Sequence, residues 1–191
     1  MEIVKLDEAG YQSALHGIAL SFQTPEPETP LRDYLNSLED SRAVAARLKD
    51  KDRGHNKFLE QIETWWAVRA PLTWWQQFDQ YRHAQEGIDE SVTQSESTMH
   101  TLMRRDLHQT DFERFVDGPY LDRLNGWRQG GLFQKVSDGL PRSFLQARIV
   151  KLNYQVLRNI LIQRSHHKLE EWQQFCQAVL AQVEHPDLLP E

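Results

Sequence analysis

Two stretches of this chain constrain its fold most strongly, because each predicts a short strand that leads directly into a helix. The first is GHNKFLEQIETWWAVRAPLTWWQQFDQYR, residues 54–82, and the second is LPRSFLQARIVKLNYQVLRNILIQR, residues 140–164. In both, polar side chains lie where strand becomes helix. Free backbone N–H groups and the positive end of the helix dipole point the same way at such junctions, which suits them to bind anions and cofactors.

Three strands are predicted in all, at residues 2–6, 62–68 and 146–152, from alternation or β-branched content. Mainly helical segments are predicted at residues 11–22, 31–51, 71–82, 98–107, 111–133, 153–164 and 168–183. Residues 31–51 are predicted to form one helix or a pair of helices, and residues 111–133 two short helices separated by Gly118-Pro119. Residues 83–97 are polar and are predicted to form a mobile loop. Strands scattered among helices favour an α+β fold over a doubly wound parallel sheet.

The composition fits one globular domain over residues 1–191, with 39% hydrophobic and 26% charged residues. No apolar run approaches the roughly 20 residues that cross a bilayer, and the N-terminus does not resemble a signal peptide. The single cysteine, Cys176, excludes an internal disulfide and fits a reducing cytoplasm. The net charge of −6 argues against binding to a nucleic acid polymer.

The first stretch carries groups that a flavin or nucleotide site requires. His55, Gln77 and Arg82 could supply hydrogen bonds to a ring edge and positive charge near a phosphate, and the tryptophans could supply a flat apolar wall. The alternative is that the tryptophans form the core and the glutamines a solvated face.

In the second stretch, Asn153 and Arg164 are eleven residues apart, so a helix would present them along nearly one line. This spacing is compatible with a binding site. It is equally explained by an N-terminal cap and by an arginine that the helix dipole favours at the C-terminal end.

Other signals are weaker. His166-His167 with Glu170-Glu171 lacks a third metal ligand, so no metal site is predicted. The run QSESTMH, residues 94–100, contains serine and histidine but no G-x-S-x-G elbow, and a polar loop capped at Ser97 or Thr98 explains it. Cys176 lies on the apolar stripe of the last helix and is expected to be buried and inert.

Taken in order, these residues resemble the flavin-dependent thymidylate synthases, the ThyX family. The pattern of that family runs without a gap through Gly54-His55, Glu60, Ala70-Pro71, Gln77 and Arg82, and again through Leu140-Pro141, Asn153, Leu157, Asn159 and Arg164. The opening MEIVKL is similar to the family's first strand, and the resemblance covers roughly two-thirds of the chain. The tryptophan-rich sequence of the first stretch and the STMH run, residues 97–100, are similar to a divergent, phage-type branch of this family.

The resemblance implies a helix-rich α+β fold with a small, mainly antiparallel sheet. It implies that His55, Arg82, Asn153 and Asn159 contact flavin adenine dinucleotide (FAD), and that Gln77 and Arg164 contact deoxyuridine monophosphate (dUMP). Glu96 and Ser97 or Thr98 would lie near the pyrimidine as catalytic groups. His100 stands where the family has a further arginine, so it is assigned to the substrate.

The family moves a methylene group from methylenetetrahydrofolate to carbon 5 of dUMP, and hydride from the reduced flavin completes the methyl group of dTMP. NADPH recharges the flavin, and the sites lie between subunits of a homotetramer. Because the cofactor performs the redox step, the protein need not supply a covalent nucleophile.

This chain departs from the family pattern where arginines are expected. The signature Arg-His-Arg stands here as Gln80-Tyr81-Arg82, the loop to Glu96 is longer, and Ser137 replaces an arginine. Glutamine and serine cannot replace a bidentate guanidinium. Either the ligand has changed, or other arginines take over phosphate binding, for which the candidates are Arg104, Arg105, Arg142 and Arg148.

Three functions therefore remain open. The first is a thymidylate synthase-like enzyme, and the second is a ThyX-like scaffold that has lost flavin chemistry and serves as a nucleotide-binding or structural protein. The third is an unrelated helical interaction module whose tryptophans form a partner surface.

Overall fold

The fold is built on one antiparallel sheet. The computed structural model describes residues 1–51, 54–81 and 92–190. In this part of the chain the strands are β1 (Glu2–Ala9), β2 (Glu63–Pro71), β3 (Val92–Ser95) and β4 (Leu145–Asn153). Their order in the sheet is β1-β2-β4-β3, and every neighbouring pair is antiparallel. This confirms the predicted α+β class.

Helices pack against one face of the sheet. Those described are α1 (Tyr11–Ala19), α2 (Leu31–Ser37), α3 (Arg42–Leu48), α4 (Leu72–Phe78), α5 (Thr98–Thr101), α6 (Gly118–Gln129), α7 (Phe133–Asp138), α8 (Tyr154–Arg164) and α9 (Glu170–Gln182). Short 3-10 turns cover Lys57–Gln61, Asp79–Tyr81, Gln109–Asp111 and Pro186–Leu188. No helix in the described ranges is long and apolar enough to cross a bilayer.

The sheet buries one face and leaves the other open. On β2 the side chains of Trp66, Val68 and Ala70 are buried, and Val150 and Leu152 continue the same face on β4. The period of two along each strand explains the alternation. On the opposite face Val4 and Ile149 remain 53% and 42% exposed, so this face carries apolar side chains that no described residue covers.

The tryptophans are mostly core residues. Trp66, Trp74, Trp75 and Trp172 have no exposed surface, and the rings of Trp74 and Trp172 lie 4.8 Å apart. The interpretation of these tryptophans as core is therefore confirmed. The third hypothesis, in which they form a partner surface, is wrong for these four, because no partner can contact them in the folded chain. Cys176 is also buried, and burial raises the pKa of its thiol to about 11.

A second cluster of apolar side chains lies at the Pro71 end of the sheet. It is formed by residues 102–144, including Leu107, Leu124, Val136 and Phe144. Leu72 joins it to the sheet, since its backbone N–H donates to the Phe144 carbonyl at 3.0 Å. The helix α4 thus starts between the two clusters.

The two predicted strand-to-helix corners lie at opposite ends of the sheet. Glu63, the first residue of β2, is paired with Asn153, the last residue of β4, whereas Pro71 is paired with Leu145. Eight residues of strand separate the corners by about 27 Å. The helices that follow these corners, α4 and α8, therefore start from opposite ends of the sheet.

Several boundaries differ from the prediction. The predicted loop 83–97 contains the strand β3 at its end, while its first part, residues 83–91, lies outside the described residues. The helix predicted at 98–107 ends at Thr101, whereas residues 31–51 form a pair of helices, which is one of the two predicted alternatives. Gly118-Pro119 begins α6 instead of separating two helices, because the Asp117 carboxylate caps it by accepting from the Tyr120 N–H at 2.7 Å.

Candidate functional site

The C-terminal ends of α4 and α8 meet at Arg164. Its Nε donates to the Tyr81 hydroxyl at 2.8 Å, and its Nη2 donates to Gln80 Oε1 at 3.3 Å. The guanidinium carbon also lies over two aromatic rings, 5.6 Å from that of Tyr81 and 5.0 Å from that of Trp172. Two predicted substrate residues, Gln77 and Arg164, are thereby brought to one place by helices that start at opposite ends of the sheet.

We call Gln77, Gln80, Tyr81, Gln163 and Arg164 the amide corner. The Trp172 indole donates to Gln77 Oε1 at 2.9 Å, and the Tyr81 hydroxyl donates to Gln163 Oε1 at 2.8 Å. An indole N–H and a guanidinium only donate, so the oxygens of Gln77 and Gln80 are identified by their partners. Each glutamine of the corner has its oxygen occupied and retains an NH2 group, so the corner offers donors to a ligand.

The charge around the amide corner is positive. Burial lowers the pKa of the neighbouring His167, and the positive charges of Arg164 and Lys168 lower it further. The Leu169 N–H donates to His167 Nδ1 at 3.1 Å, so this ring nitrogen is an acceptor and His167 is neutral. A guanidinium among amide donors, with no carboxylate in the corner, is suited to an anion.

The corner where β4 becomes α8 contains the predicted cofactor residues Asn153 and Asn159. Asn153 caps α8, since its side chain accepts from the Val156 N–H at 2.9 Å. The N-cap interpretation is thus confirmed. Asn56 donates to Gln155 Oε1 at 2.9 Å, and Gln155 Nε2 lies 3.4 Å from Asn159 Oδ1. This amide ladder ties the loop of His55 to α8.

His55 itself is exposed at the edge of a cavity of about 370 Å³, which Gly17, Phe22 and Leu48 also line. Arg158, next to Asn159, has its Nε buried without a hydrogen-bond partner among the described residues, and its Nη2 lies 3.8 Å from Asp50. A buried donor on a cation, on the same helix as Asn159, suits the diphosphate of a dinucleotide. The residues present therefore fit FAD at this corner. Arg82, the fourth predicted cofactor residue, lies outside the described residues.

The predicted catalytic residues follow β3. The Glu96 N–H donates to the Ala147 carbonyl at 3.0 Å, and Glu96 borders a groove of about 580 Å³ on the open face of the sheet. Ser97 precedes α5, but its side chain makes no capping hydrogen bond. His100 is exposed on α5, and no side-chain hydrogen bond joins it to Ser97. Among the described residues, no hydrogen bond or ion pair of these three side chains joins them to the amide corner or to the amide ladder, although the Glu96 carbonyl accepts from Gln146 at 3.3 Å.

Most of the arginines proposed as phosphate ligands are already engaged. Arg148 lies 4.3 Å from the Trp75 ring and 3.2 Å from Asp79 Oδ1, and Arg105 donates twice to Asp111, at 2.8 and 2.6 Å. Arg142 donates to Gln76. Arg104 is exposed and has no side-chain partner in the part of the chain that the structure describes, so it is the remaining candidate among the four.

One group of potential metal ligands is already occupied by a cation. Glu8, Glu184 and His185 place ligand atoms within 4.8 Å of one another. The Lys5 ammonium bridges the two carboxylates at 3.0 and 3.1 Å, and the Tyr154 hydroxyl donates to Glu8 at 2.5 Å. This group holds the C-terminal segment against β1. The other histidine-carboxylate pattern is also engaged, since Glu171 forms an ion pair with Arg114 at 3.0 Å.

Sequence reasoning missed the neighbours of the predicted residues. Tyr81 was read only as a departure from the Arg-His-Arg signature, and Asn56, Gln155 and Gln163 were not singled out. Asn56 directly follows His55, and Gln163 directly precedes Arg164, so adjacency was the available signal. Their partners, however, are 82 to 99 residues away in the chain, which no local pattern reveals.

Comparison with known proteins identifies the fold. No protein-family model and no curated protein matches this chain by sequence. Two structures of the flavin-dependent thymidylate synthase ThyX from Helicobacter pylori with FAD and dUMP match it with a TM-score of 0.73 and 18% identity, over 99% of this chain and 98% and 97% of theirs. A UMP/dUMP methylase, PolB from Streptomyces cacaoi, bound with 5-Br dUMP, matches with a TM-score of 0.67 and 13% identity, over 94% of this chain and 88% of its own.

The chain is therefore an α+β protein whose fold is shared by two enzymes solved with uridine nucleotides. More particularly, it has the fold of the flavin-dependent thymidylate synthases, as the sequence resemblance predicted. At these identities the likeness concerns the fold, and the chemistry has to be argued from this chain's own residues.

Proposed function

We propose that this chain is a flavin-dependent thymidylate synthase-like enzyme that methylates dUMP to dTMP. Methylenetetrahydrofolate would donate the carbon, FAD would be the cofactor and NADPH the reductant. The observation that carries this proposal is the amide corner, where Gln77 and Arg164 meet as donors in a fold whose solved examples include complexes with dUMP.

The nucleotide would bind at the amide corner. Its phosphate and pyrimidine carbonyl oxygens are acceptors, and the corner supplies a guanidinium and amide donors. Gln77 would donate through its NH2 group, because its oxygen is held by Trp172. A hydrogen bond from a charged donor contributes about 1.5–3 kcal/mol, so Arg164 would dominate the affinity.

FAD would bind at the Asn153 corner. His55, Asn153 and Asn159 would contact it, with Arg158 as an additional cationic donor and Arg82 as a further contact. When bound, the reduced flavin supplies the hydride that completes the methyl group. The task of the protein groups is to bind and orient, since the Asn153 oxygen is already committed to its cap and only its NH2 group remains to donate.

The flavin and the nucleotide would lie at the two ends of α8, at Asn153 and at Arg164, which are about 16 Å apart along the helix. We propose a cytoplasmic homotetramer whose sites lie between subunits, as the sequence resemblance implies. The open sheet face supports assembly, because its apolar floor includes Val4, Ala67 and Ile149 and an uncovered apolar face of this kind marks an interaction site. Glu96, Ser97 and His100, at the edge of this face, would then approach the pyrimidine from a neighbouring subunit.

A second function is favoured by one observation. Gln80 and Tyr81 stand in place of the signature arginine and histidine, and both bind Arg164 within the chain. These replacements are expected in a protein that kept the fold and nucleotide binding but lost flavin chemistry, because the signature side chains are no longer needed. It would be stabilised by dUMP without turnover and would not contain flavin.

The experiment that tests the proposal is an absorption spectrum of the purified protein, followed by titration with FAD. We expect a yellow protein that releases flavin on denaturation, and formation of dTMP when dUMP, methylenetetrahydrofolate and NADPH are supplied. A colourless protein that does not bind added FAD would contradict the catalytic proposal. Rescue of a thymidine-requiring strain would exclude the scaffold alternative.

A further inference from the structure

The side chain of Arg164 is held on three sides by its own chain. Tyr81 accepts from Nε at 2.8 Å, Trp172 and Tyr81 place their rings under the guanidinium, and Gln80 accepts from Nη2. The Tyr81 hydroxyl is itself oriented, since it donates to Gln163 Oε1 at 2.8 Å. A long, flexible side chain is thereby held in one orientation.

The hydrogen bond to Nε decides how Arg164 can bind a ligand. A guanidinium meets a phosphate through two parallel N–H bonds, either from Nε and one terminal nitrogen or from the two terminal nitrogens. Tyr81 occupies Nε, which removes the first arrangement. Gln80 holds Nη2 only at 3.3 Å and at an exposed position, so a phosphate oxygen can displace it.

We propose that Tyr81 and Trp172 are positioning residues that fix Arg164 so that its two terminal nitrogens bind the phosphate monoester of a nucleotide. The proposal depends on the proposed function only for the identity of the nucleotide as dUMP. The proposal gives Tyr81 a specific role in the Gln80-Tyr81-Arg82 segment. Its hydroxyl oxygen accepts a hydrogen bond from the Arg164 guanidinium, whereas a cationic side chain at this position would repel Arg164.

The phosphate is favoured over a neutral group by the surrounding charge. The amide corner contains no carboxylate, and the carboxylates that adjoin Gln80 and Trp172 in sequence have other partners, since Asp79 pairs with Arg148 and Glu171 with Arg114. A pre-oriented guanidinium also loses less conformational entropy on binding than a free one, which raises the affinity without a new contact.

The test compares two hydroxyl deletions. Tyr81→Phe removes the partner of Nε and keeps the ring, while Tyr120→Phe is a matched control, because the Tyr120 hydroxyl donates to the Gly139 carbonyl at 2.7 Å and Arg123 lies 5.9 Å from its ring. We expect Tyr81→Phe to weaken dUMP binding roughly tenfold and to leave deoxyuridine binding unchanged. Tyr120→Phe should change neither affinity.

A double-mutant cycle separates positioning from general damage. If Tyr81 acts through Arg164, then Tyr81→Phe should cause no further loss of dUMP affinity in an Arg164→Met background. A loss of the same size in both backgrounds, or an unchanged affinity of the single variant, would overturn the proposal. Equal losses for dUMP and deoxyuridine would overturn the assignment to the phosphate.

A second probe separates this inference from the proposed function. Inorganic phosphate is titrated into the same variants. If the wild-type protein binds inorganic phosphate but not dUMP, only the proposed function is contradicted. The double-mutant cycle of Tyr81→Phe and Arg164→Met is then measured with inorganic phosphate, and the same outcomes decide the positioning proposal. Wild-type protein that binds neither contradicts both.

Discussion

The indole N–H of Trp172 donates to Gln77 Oε1 at 2.9 Å, which joins α9 to α4 and determines which end of the Gln77 amide is available. Since an indole cannot accept, the Gln77 NH2 group must point away from Trp172. A residue chosen from the sequence as a substrate contact is thus restricted to one chemical role, that of a donor to an acceptor oxygen.

Gln77→Glu tests this role. The carboxylate keeps an acceptor for the Trp172 indole but replaces the NH2 donor with a negative charge. We therefore expect a folded protein whose dUMP affinity falls more than about tenfold, measured by calorimetric titration. Gln76→Glu is the matched control, because Gln76 accepts a hydrogen bond from Arg142 outside the amide corner. The Gln76→Glu variant should keep the dUMP affinity of the wild type. Retained affinity in Gln77→Glu would show that this amide does not donate to the ligand.

Asn153 is predicted to have two separable roles. Asn153→Ala removes the cap of α8 and should lower the free energy of unfolding by about 1 kcal/mol, whereas Asn153→Asp keeps the capping oxygen and should retain the stability. Because aspartate lacks the NH2 group, both variants should bind FAD more weakly. Chemical denaturation and flavin titration measure the two effects. Full flavin affinity in Asn153→Asp would remove Asn153 from the cofactor site.

Asp111 makes stability depend on acid pH. Burial opposes ionisation of its carboxyl, but hydrogen bonds from Arg105 and the His108 N–H outweigh burial and lower its pKa below the ordinary value. A carboxyl with a lowered pKa in the folded state contributes stability above about pH 3.9, the unfolded value, and that stability is lost as the pH falls through the folded pKa.

Asp111→Asn should therefore lower the free energy of unfolding by about 1–3 kcal/mol at neutral pH. The free energy of unfolding of this variant should also decrease less than that of the wild type as the pH falls. Asp122→Asn is the control, because Asp122 is exposed on α6 and its side chain has no hydrogen bond or ion pair within the described ranges. Denaturation series between pH 3 and pH 7 measure the effect. The same acid profile in Asp111→Asn as in the wild type would contradict this account.

The open sheet face is predicted to be the assembly surface. Ile149→Asp places a charge in its apolar floor, where a buried unpaired charge costs several kcal/mol, so the oligomer should dissociate. Leu132→Asp is the control, since Leu132 is 44% exposed, close to the 42% of Ile149, and lies outside this face. Mass measurement in solution reports the result, and an unchanged oligomer in Ile149→Asp would place the interface elsewhere.

The sequence was sufficient for the parts of the fold that depend on local patterns. The strands β1, β2 and β4 and the cap at Asn153 were predicted, because alternation, β-branched residues and an N-cap residue are visible within a few positions. The strand β3 was missed. It is a four-residue edge strand in which three of the four side chains are polar, and it is recognisable only from its pairing with β4.

The candidate site was predictable as a set of residues but not as an arrangement. Gln77 and Arg164 were chosen for their place in a family pattern, and the structure brings them together through Tyr81 and Trp172. The separation of the two corners follows from the antiparallel register of β2 and β4, which pairs residues 74 to 90 positions apart. A sequence pattern gives the order of such residues and does not give their register.

The affinity of this chain for dUMP relative to deoxyuridine tests the central claim most directly, because the two ligands differ only in the phosphate. We predict that the wild type binds dUMP at least about tenfold more tightly and that Arg164→Met, which keeps much of the side-chain packing, removes the difference. Equal affinities for the two ligands in the wild type, or an unchanged preference in Arg164→Met, would contradict the account.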